Sequence, residues 1–316
     1  LPVAPAQAAI TLTPRSESAQ SLRRLKRALV DLGYQEAITF SFTEASVQQA
    51  FTPELTPLTL ANPLSQELAS MRTSLLPGLL MAVRHNLSRQ QARVRLFEAG
   101  MRFLPEADGL QQEPMLSGVM AGTALPMLWS NTKSSVDFYD LKGNIEHLLS
   151  VARVATLQIV AAQRTGFHPG QCAELRDGSR CLGVFGALHP STLAAFDIDT
   201  PVFAFELSQS LFALGDLPRF SPLSRFPQMQ RDLALVVPES LRADAIKRCI
   251  EASAGDSLQR IDLFDVYRGV GVSEDAYSLA ITLTWQHAER TLLDAEVQGS
   301  VDAVLAALAA LSVHLR

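Results

Sequence analysis

The stretch "RIDLFDVYRG", Arg260 to Gly269, alternates apolar and polar residues in the manner of a half-buried β-strand. On that pattern Phe264 and Val266 point into a core, while Asp265 and Tyr267 share the opposite face. Upstream of it the sequence predicts a strand over 232–237 and a helix over 241–253. Downstream it predicts a strand over 277–286, a helix over 294–311 and a short last strand over 312–316. The order is therefore strand, helix, strand, strand, helix, strand.

That βαββαβ order is the ferredoxin-like arrangement, a four-stranded sheet with helices on one face and the other face open. Alternation sends Leu233, Leu235 and Val237 inward, together with Leu279, Ile281, Leu283 and Trp285. Val297, Val301, Val304 and Leu308 form the helical stripe that covers them. The open face is left with Asp232, Ala234, Val236, Ser278, Ala280, Thr282 and Thr284 beside Asp265 and Tyr267. One ring and one carboxylate above a floor of small side chains leave room for a flat group to stack. Single-stranded bases are read this way, at about 1–3 kcal/mol per stacked base. A carboxylate there accepts hydrogen bonds from the amino edge of guanine or cytosine. Arg231 and Arg268 are the candidates for the phosphate backbone. The same face would equally serve to pack against another protein domain.

The 316 residues are enough for two domains with separate cores. Hydrophobic residues at 47% and charged ones at 19% describe a globular chain and exclude a disordered or fibrous one. Three cysteines without a CxxC pair argue against a disulfide framework and for a reducing, cytoplasmic setting. No signal peptide and no bilayer-length apolar run is evident, so no membrane partner is expected. The chain begins on Leu1 and reads as part of a longer one. Its net charge of −5 is unusual for a nucleic-acid binder, whose affinity rests largely on phosphate neutralisation. Residues 222–316 alone hold nine Lys and Arg against thirteen Asp and Glu, a net of −4. Affinity of this chain alone for RNA is therefore expected to be weak.

Upstream, residues 16–32 carry an amphipathic helix with Leu22, Leu25, Leu29 and Leu32 on one face and Gly33 at its C-cap, followed by a strand over 37–42. A second helix spans 74–89, with Pro77 in its first turn. Strands are expected over 94–103, 114–122, 181–190 and 202–207, with a helix over 137–152 between them. This irregular mixture predicts an α+β domain with a mostly antiparallel sheet over 1–214. The proline-bearing segment 215–221 reads as a linker to a second domain over 222–316.

The segments "FPQMQRDLALVV", "LFDVYRG", "YSLAITLTW" and "ERTLLDAEV" resemble, in order and spacing through 222–316, the anticodon-binding domain that ends bacterial phenylalanyl-tRNA synthetase β subunits. The resemblance implies that the open face reads the anticodon loop of the phenylalanine tRNA through Ala234, Asp265, Tyr267 and Ser278, with Tyr267 stacked on the first anticodon base and Asp265 bonded to it. It continues upstream. "LRRLKRALVDLGYQEAITFSF" is similar to the first motif of class II aminoacyl-tRNA synthetases, and "RLFEAGMRF" to the start of their second. "VDFYDLKGNIEHLL" and "HPGQCAEL…LGVFGALHP" resemble β-subunit signatures. Together these cover most of 1–214.

One departure matters. A class II site that forms adenylates needs an arginine after the second-motif phenylalanine to hold the α-phosphate. Here Phe103 is followed by Leu104, and "FAFELSQSLFALG" offers neither the glycine cluster nor the second arginine that the nucleotide requires. No catalytic residue is therefore expected in this chain. An autonomous enzyme with a degenerate class II site is the rival reading, against which Leu104 counts. The resemblance implies an α2β2 heterotetramer in which the α subunit uses ATP and magnesium, with no cofactor in this chain. It assigns Ser18–Leu32, and within it Leu22, Leu25 and Leu29, to the subunit contact; an ordinary core helix has the same apolar stripe. His168, Cys172, Cys181 and His189 match no zinc spacing, so no metal site is expected.

Overall fold

The computed structural model describes residues 21–316 apart from 107–108, 132, 155–156, 214, 219 and 221. The chain divides into two compact units, residues 1–218 and 219–316. Residues 16–20 of the expected first helix, and two residues of the expected linker, lie outside the described set.

The first unit opens with α1 (Leu22–Asp31), β1 (Gln35–Glu36), β2 (Phe42–Thr43) and α2 (Ala45–Gln48), followed by β3 (Ser70–Met71) and α3 (Leu76–Leu87). It continues with β4 (Arg93–Glu106), β5 (Gly109–Gly122), α4 (Phe138–Ala152), β6 (Gln158–Ala161) and β7 (Phe167–Asp177). The last elements are β8 (Arg180–Leu188), α5 (Pro190–Ala195) and β9 (Val202–Ser208). Seven strands form one sheet in the order β1-β4-β5-β9-β8-β7-β6, antiparallel except where β1 pairs with β4. Alternation along each strand gives this sheet two buried faces. On one, Phe97, Leu116, Phe185 and Phe205 meet α1 and α4; on the other, Leu96, Val119 and Ala204 meet α3.

Helix α1 ends as the sequence predicts. Gly33 adopts φ +83°, and the N–H groups of Gly33 and Tyr34 return to the carbonyls of Val30 and Leu29 at 2.9 Å each. Both bonds together make a Schellman stop, which favours glycine at the left-handed position. Helix α4 starts on a capping box in which Asp137 accepts from the Tyr139 and Asp140 N–H groups and Asp140 accepts from that of Asp137.

Three expectations need correction. The strand expected over 37–42 is not continuous: Ala37 bonds to the seven-stranded sheet through its N–H to the Phe97 carbonyl at 2.7 Å, Ile38 and Phe40 stand exposed, and Phe42 begins β2, which pairs with β3 in a separate two-stranded sheet. Its alternation is genuine, but nothing described in this chain covers its apolar side. Strands β6 and β7 were not expected, because Pro169, Gly170 and the charged residues of 174–177 blur the period. Leu25 and Leu29 are fully buried within their own unit, where α1 packs on α4, so this pair is core and not a free contact surface; Leu22 is only half-buried.

The second unit runs β10 (Met229–Pro238), α6 (Ala243–Ser253), β11 (Leu258–Tyr267), β12 (Ala276–Trp285), α7 (Asp294–Ala309) and β13 (His314–Leu315). Its antiparallel sheet has the order β11-β12-β10-β13, the ferredoxin-like topology. Leu235, Ile281, Leu283 and Trp285 are buried against Ile246 and Ile250 of α6 and Val301 and Val304 of α7. Among the described residues no helix is long and apolar enough to cross a membrane.

Candidate functional site

Register places the open-face residues directly. Asp265 lies opposite Ala280, which lies opposite Ala234, so these three share one row across β11, β12 and β10. In the next row Tyr267 lies opposite Ser278, Val236 and His314. Asp262, Thr282 and Asp232 form a third row, in which Thr282 donates to Asp232 Oδ1 at 2.6 Å. A ring and a carboxylate thus stand on neighbouring rows at one edge, above the two alanines.

Strand β11 keeps Asp265 and Tyr267 on this face by a break in its pairing. Leu263 faces Ile281 but Asp265 faces Ala280, so Phe264 is the extra residue of a β-bulge. The expectation that Phe264 and Val266 enter the core is therefore wrong. Phe264 is 60% exposed because the bulge lifts it out of register, and Val266 stays half-exposed at an edge that the helices do not reach. Ser278 is on the expected face yet only 4% exposed, shielded in the floor between Tyr267 and Val236.

The arginines are arranged otherwise than the sequence suggests. Arg268 pairs with Glu239 and lies over the ring of Tyr277, 5.0 Å from its centroid, on the helix-covered side. Arg231 pairs with Asp294 at the start of α7, also on that side. Two other arginines lie on the open face: Arg260, opposite Thr284 and paired with Asp262, and Arg316, which follows β13 and holds its guanidinium 4.7 Å from the centroid of Tyr267. The N–H of Arg316 bonds to the Ala234 carbonyl at 2.8 Å, which fixes that position in the sheet. Alternation of a two-residue strand is too short a signal to have found it. The Tyr267 hydroxyl contacts the Val270 carbonyl at 3.4 Å. A Cβ on Gly269 would come within 2.9 Å of that hydroxyl, and φ there is +152°, so glycine suits the turn on both counts.

The first unit carries a cavity of about 560 Å³ on the sheet face beyond the N-terminus of α3. One row across the sheet, Glu98, Ser117, Glu206, Val184 and Glu174, holds three buried carboxylates at its margin. Glu98 and Glu174 each have their own cations. Arg72 donates to Glu98 at 2.7 Å, and Arg164 and Arg176 donate to Glu174 at 2.5 and 2.7 Å. Burial alone would raise the Glu174 carboxyl, but the Arg176 and Arg164 hydrogen bonds hold it below the usual carboxylate range. Glu206 accepts from Ser74 Oγ, the Leu75 N–H and Ser117 Oγ through one oxygen. Its other oxygen lies 3.6 Å from Arg102, which itself donates to Glu113 at 2.6 and 3.0 Å. Phe103 and Leu104 follow as partly covered strand residues. Of the set set aside as zinc ligands, Cys172 is buried, with its thiol pushed by burial up to about 11, and the His168 and His189 rings stack at 6.3 Å.

The family model described as "Phenylalanyl tRNA synthetase beta chain CLM domain" matches residues 1–209. The model described as "Ferredoxin-fold anticodon binding domain" matches residues 224–316. A phenylalanine–tRNA ligase beta subunit from Pseudomonas fluorescens (strain Pf0-1) is 44% identical over 98% of this chain and 39% of its own length. That of Pseudomonas syringae pv. tomato is 46% identical over the same shares. The chain thus spans 39% of the length of these relatives. A pyrrolysyl tRNA synthetase from Desulfitobacterium hafniense overlays 60% of this chain and 63% of its own at 18% identity and a TM-score of 0.47, too slight a likeness to carry weight.

Proposed function

We infer that this chain, which belongs to the phenylalanyl-tRNA synthetase β-chain family, is a non-catalytic part of a phenylalanine–tRNA ligase. Its second unit binds the anticodon loop of the tRNA, and its first unit assembles with a catalytic α subunit that carries out the ATP- and magnesium-dependent charging. The observation that carries the RNA reading is the pair of rows holding Asp265 and Tyr267 over Ala280 and Ala234. A base stacks on the ring while Asp265 accepts from its amino edge. Where the base takes the face of the ring now covered by Arg316, it displaces that guanidinium, which is then free for a phosphate.

Catalytic silence is supported by the charge state of the cavity. A triphosphate needs several uncommitted cations, and the two guanidiniums lining the cavity, Arg102 and Arg164, each already donate to a carboxylate, which leaves only the outer nitrogens of Arg164 for an anion. The residues present do not fit a nucleotide. The contact with the α subunit is best sought at Val30, Ile38 and Phe40, the exposed apolar residues beside the buried stripe of α1.

The test is a titration of a labelled anticodon stem-loop of the phenylalanine tRNA, native and with its first anticodon base changed, into wild type, Tyr267→Phe and Tyr267→Ala. The native loop should bind better, Phe should keep most of the preference, and Ala should lose about 1–3 kcal/mol of it. Equal binding of all loops, or an Ala variant that behaves as wild type, would turn the open face into a protein-packing surface and the chain into a scaffold.

A further inference from the structure

The cavity of the first unit is committed against phosphate, yet it is not inert. Its two ends carry opposite charge. At one end Glu113 and Glu206 share a single guanidinium, that of Arg102, and a third carboxylate, Glu54, also lines the cavity. At the other end Arg164 and Arg176 share one buried carboxylate, Glu174. Arg164 uses its Nε for that bond and also faces the Cys181 thiol, while no carboxylate among the described residues accepts from its outer nitrogens. Glu206 and Glu174 are two strands apart in one row, about 10 Å at the usual strand spacing. The rest of the lining mixes apolar side chains, Phe51, Leu76, Met115, Phe167 and Val184, with the hydroxyls of Thr52, Ser74 and Ser208. Glu54, Gln163 and Thr165 line the rim, and their side chains have no hydrogen-bond partner among the described residues. The volume of about 560 Å³ lies within the range of small-molecule sites.

An anion entering this space meets three carboxylates, and a simple cation meets the Arg164 end. A molecule with both charges satisfies each end, and in a partly desolvated cavity the pairing is stronger than in water. We infer that the cavity binds a small zwitterion, with a primary ammonium at the lining carboxylates Glu54, Glu113 and Glu206, a carboxylate at Arg164, and an apolar group against Phe51 and Phe167. A free amino acid and a dipeptide are two sizes of this chemistry.

Cys181 lines the cavity and is exposed, while Cys249 belongs to the other unit and supplies an internal reference. The experiment follows iodoacetamide alkylation of both thiols, by peptide mass spectrometry on the intact chain. The probes are leucine, phenylalanine, leucyl-leucine, leucinamide and N-acetylleucine. At least one of the three zwitterions should slow alkylation of Cys181 saturably and leave Cys249 unchanged. Leucinamide and N-acetylleucine, each lacking one charge, should protect about tenfold less effectively or worse, as the loss of a charge-assisted hydrogen bond requires. Glu54→Gln removes an exposed carboxylate without a described partner, keeps the fold, and should weaken protection with no change in the melting temperature of the free chain. The assignment fails if none of the zwitterions protects Cys181 through the millimolar range. It fails equally if the singly charged analogues protect as well as the zwitterions, or if Glu54→Gln is without effect.

Discussion

At the scale of single residues, the second unit is organised by charges tied to one another. Arg231, Arg260, Arg268 and Arg290 each pair with a carboxylate, which leaves Arg316 over Tyr267 as the cation with an aromatic partner on the open face. On the proposed reading an acidic unit can still present a binding surface, because the base would be held by stacking and edge contacts and few phosphates would need neutralising here. Glu296 shows what one such pair does for stability. Hydrogen bonds from Arg290 and from the Leu293 N–H at the start of α7 lower its carboxyl from 4.5 to about 2. A carboxyl that is more acidic in the folded chain binds fewer protons there than in the unfolded chain, so stability rises with pH through this window. The contribution is fully present above about pH 4.5 and is lost as pH falls toward about 2. Urea midpoints of wild type and Glu296→Gln should therefore differ most at neutral pH and converge as the solution is acidified, with a smaller gap in high salt because the pair is exposed. A gap that widens toward low pH would contradict the assignment.

At the scale of elements, α1 and the segment after it separate two roles that one apolar pattern had merged. Leu29 is fully buried against α4 and the sheet, so Leu29→Ala should cost about 2–5 kcal/mol in chemical denaturation of the first unit. Phe40 is exposed, so Phe40→Ser should leave that stability within about 0.5 kcal/mol. Co-purification with a catalytic α subunit should instead suffer in Phe40→Ser. Loss of stability in both variants, or intact assembly in Phe40→Ser, would return the contact to α1 itself. Periodicity alone makes α1, α3, α4 and, in the second unit, β10, α6, β12 and α7 legible, because each has a long stripe or clean alternation over a single buried face. It fails where burial is set from outside the element. The bulge at Phe264 is invisible because the pattern runs on through it. β7 is buried on both faces and broken by Pro169 and Gly170. In the candidate site, Ala234, Asp265 and Tyr267 were legible as one face, since register only had to bring neighbouring strands together. Arg316 and the neutralised cavity were not, because both depend on where long side chains end, which spacing does not encode.

At the scale of the whole molecule, the two units have cores that share no residue, and the two tryptophans report on them unequally. Trp285 is 0% exposed in the core of the second unit, where its indole N–H donates to Ser300 Oγ at 3.0 Å. Trp129 belongs to the first unit and is 100% exposed already in the folded chain. Unfolding the second unit moves Trp285 from core to water and shifts its emission to longer wavelength, whereas unfolding the first leaves Trp129 where it was. Intrinsic fluorescence should thus follow the second unit alone, and far-ultraviolet circular dichroism should follow both. The combination with Leu29→Ala makes this decisive. If each core is its own cooperative unit, that substitution lowers the midpoint of the circular-dichroism component from the first unit and leaves the fluorescence midpoint in place. If the fluorescence midpoint moves with it by a comparable amount, the chain unfolds as one body, and the sheet face that holds Tyr267 is then coupled in stability to the first unit.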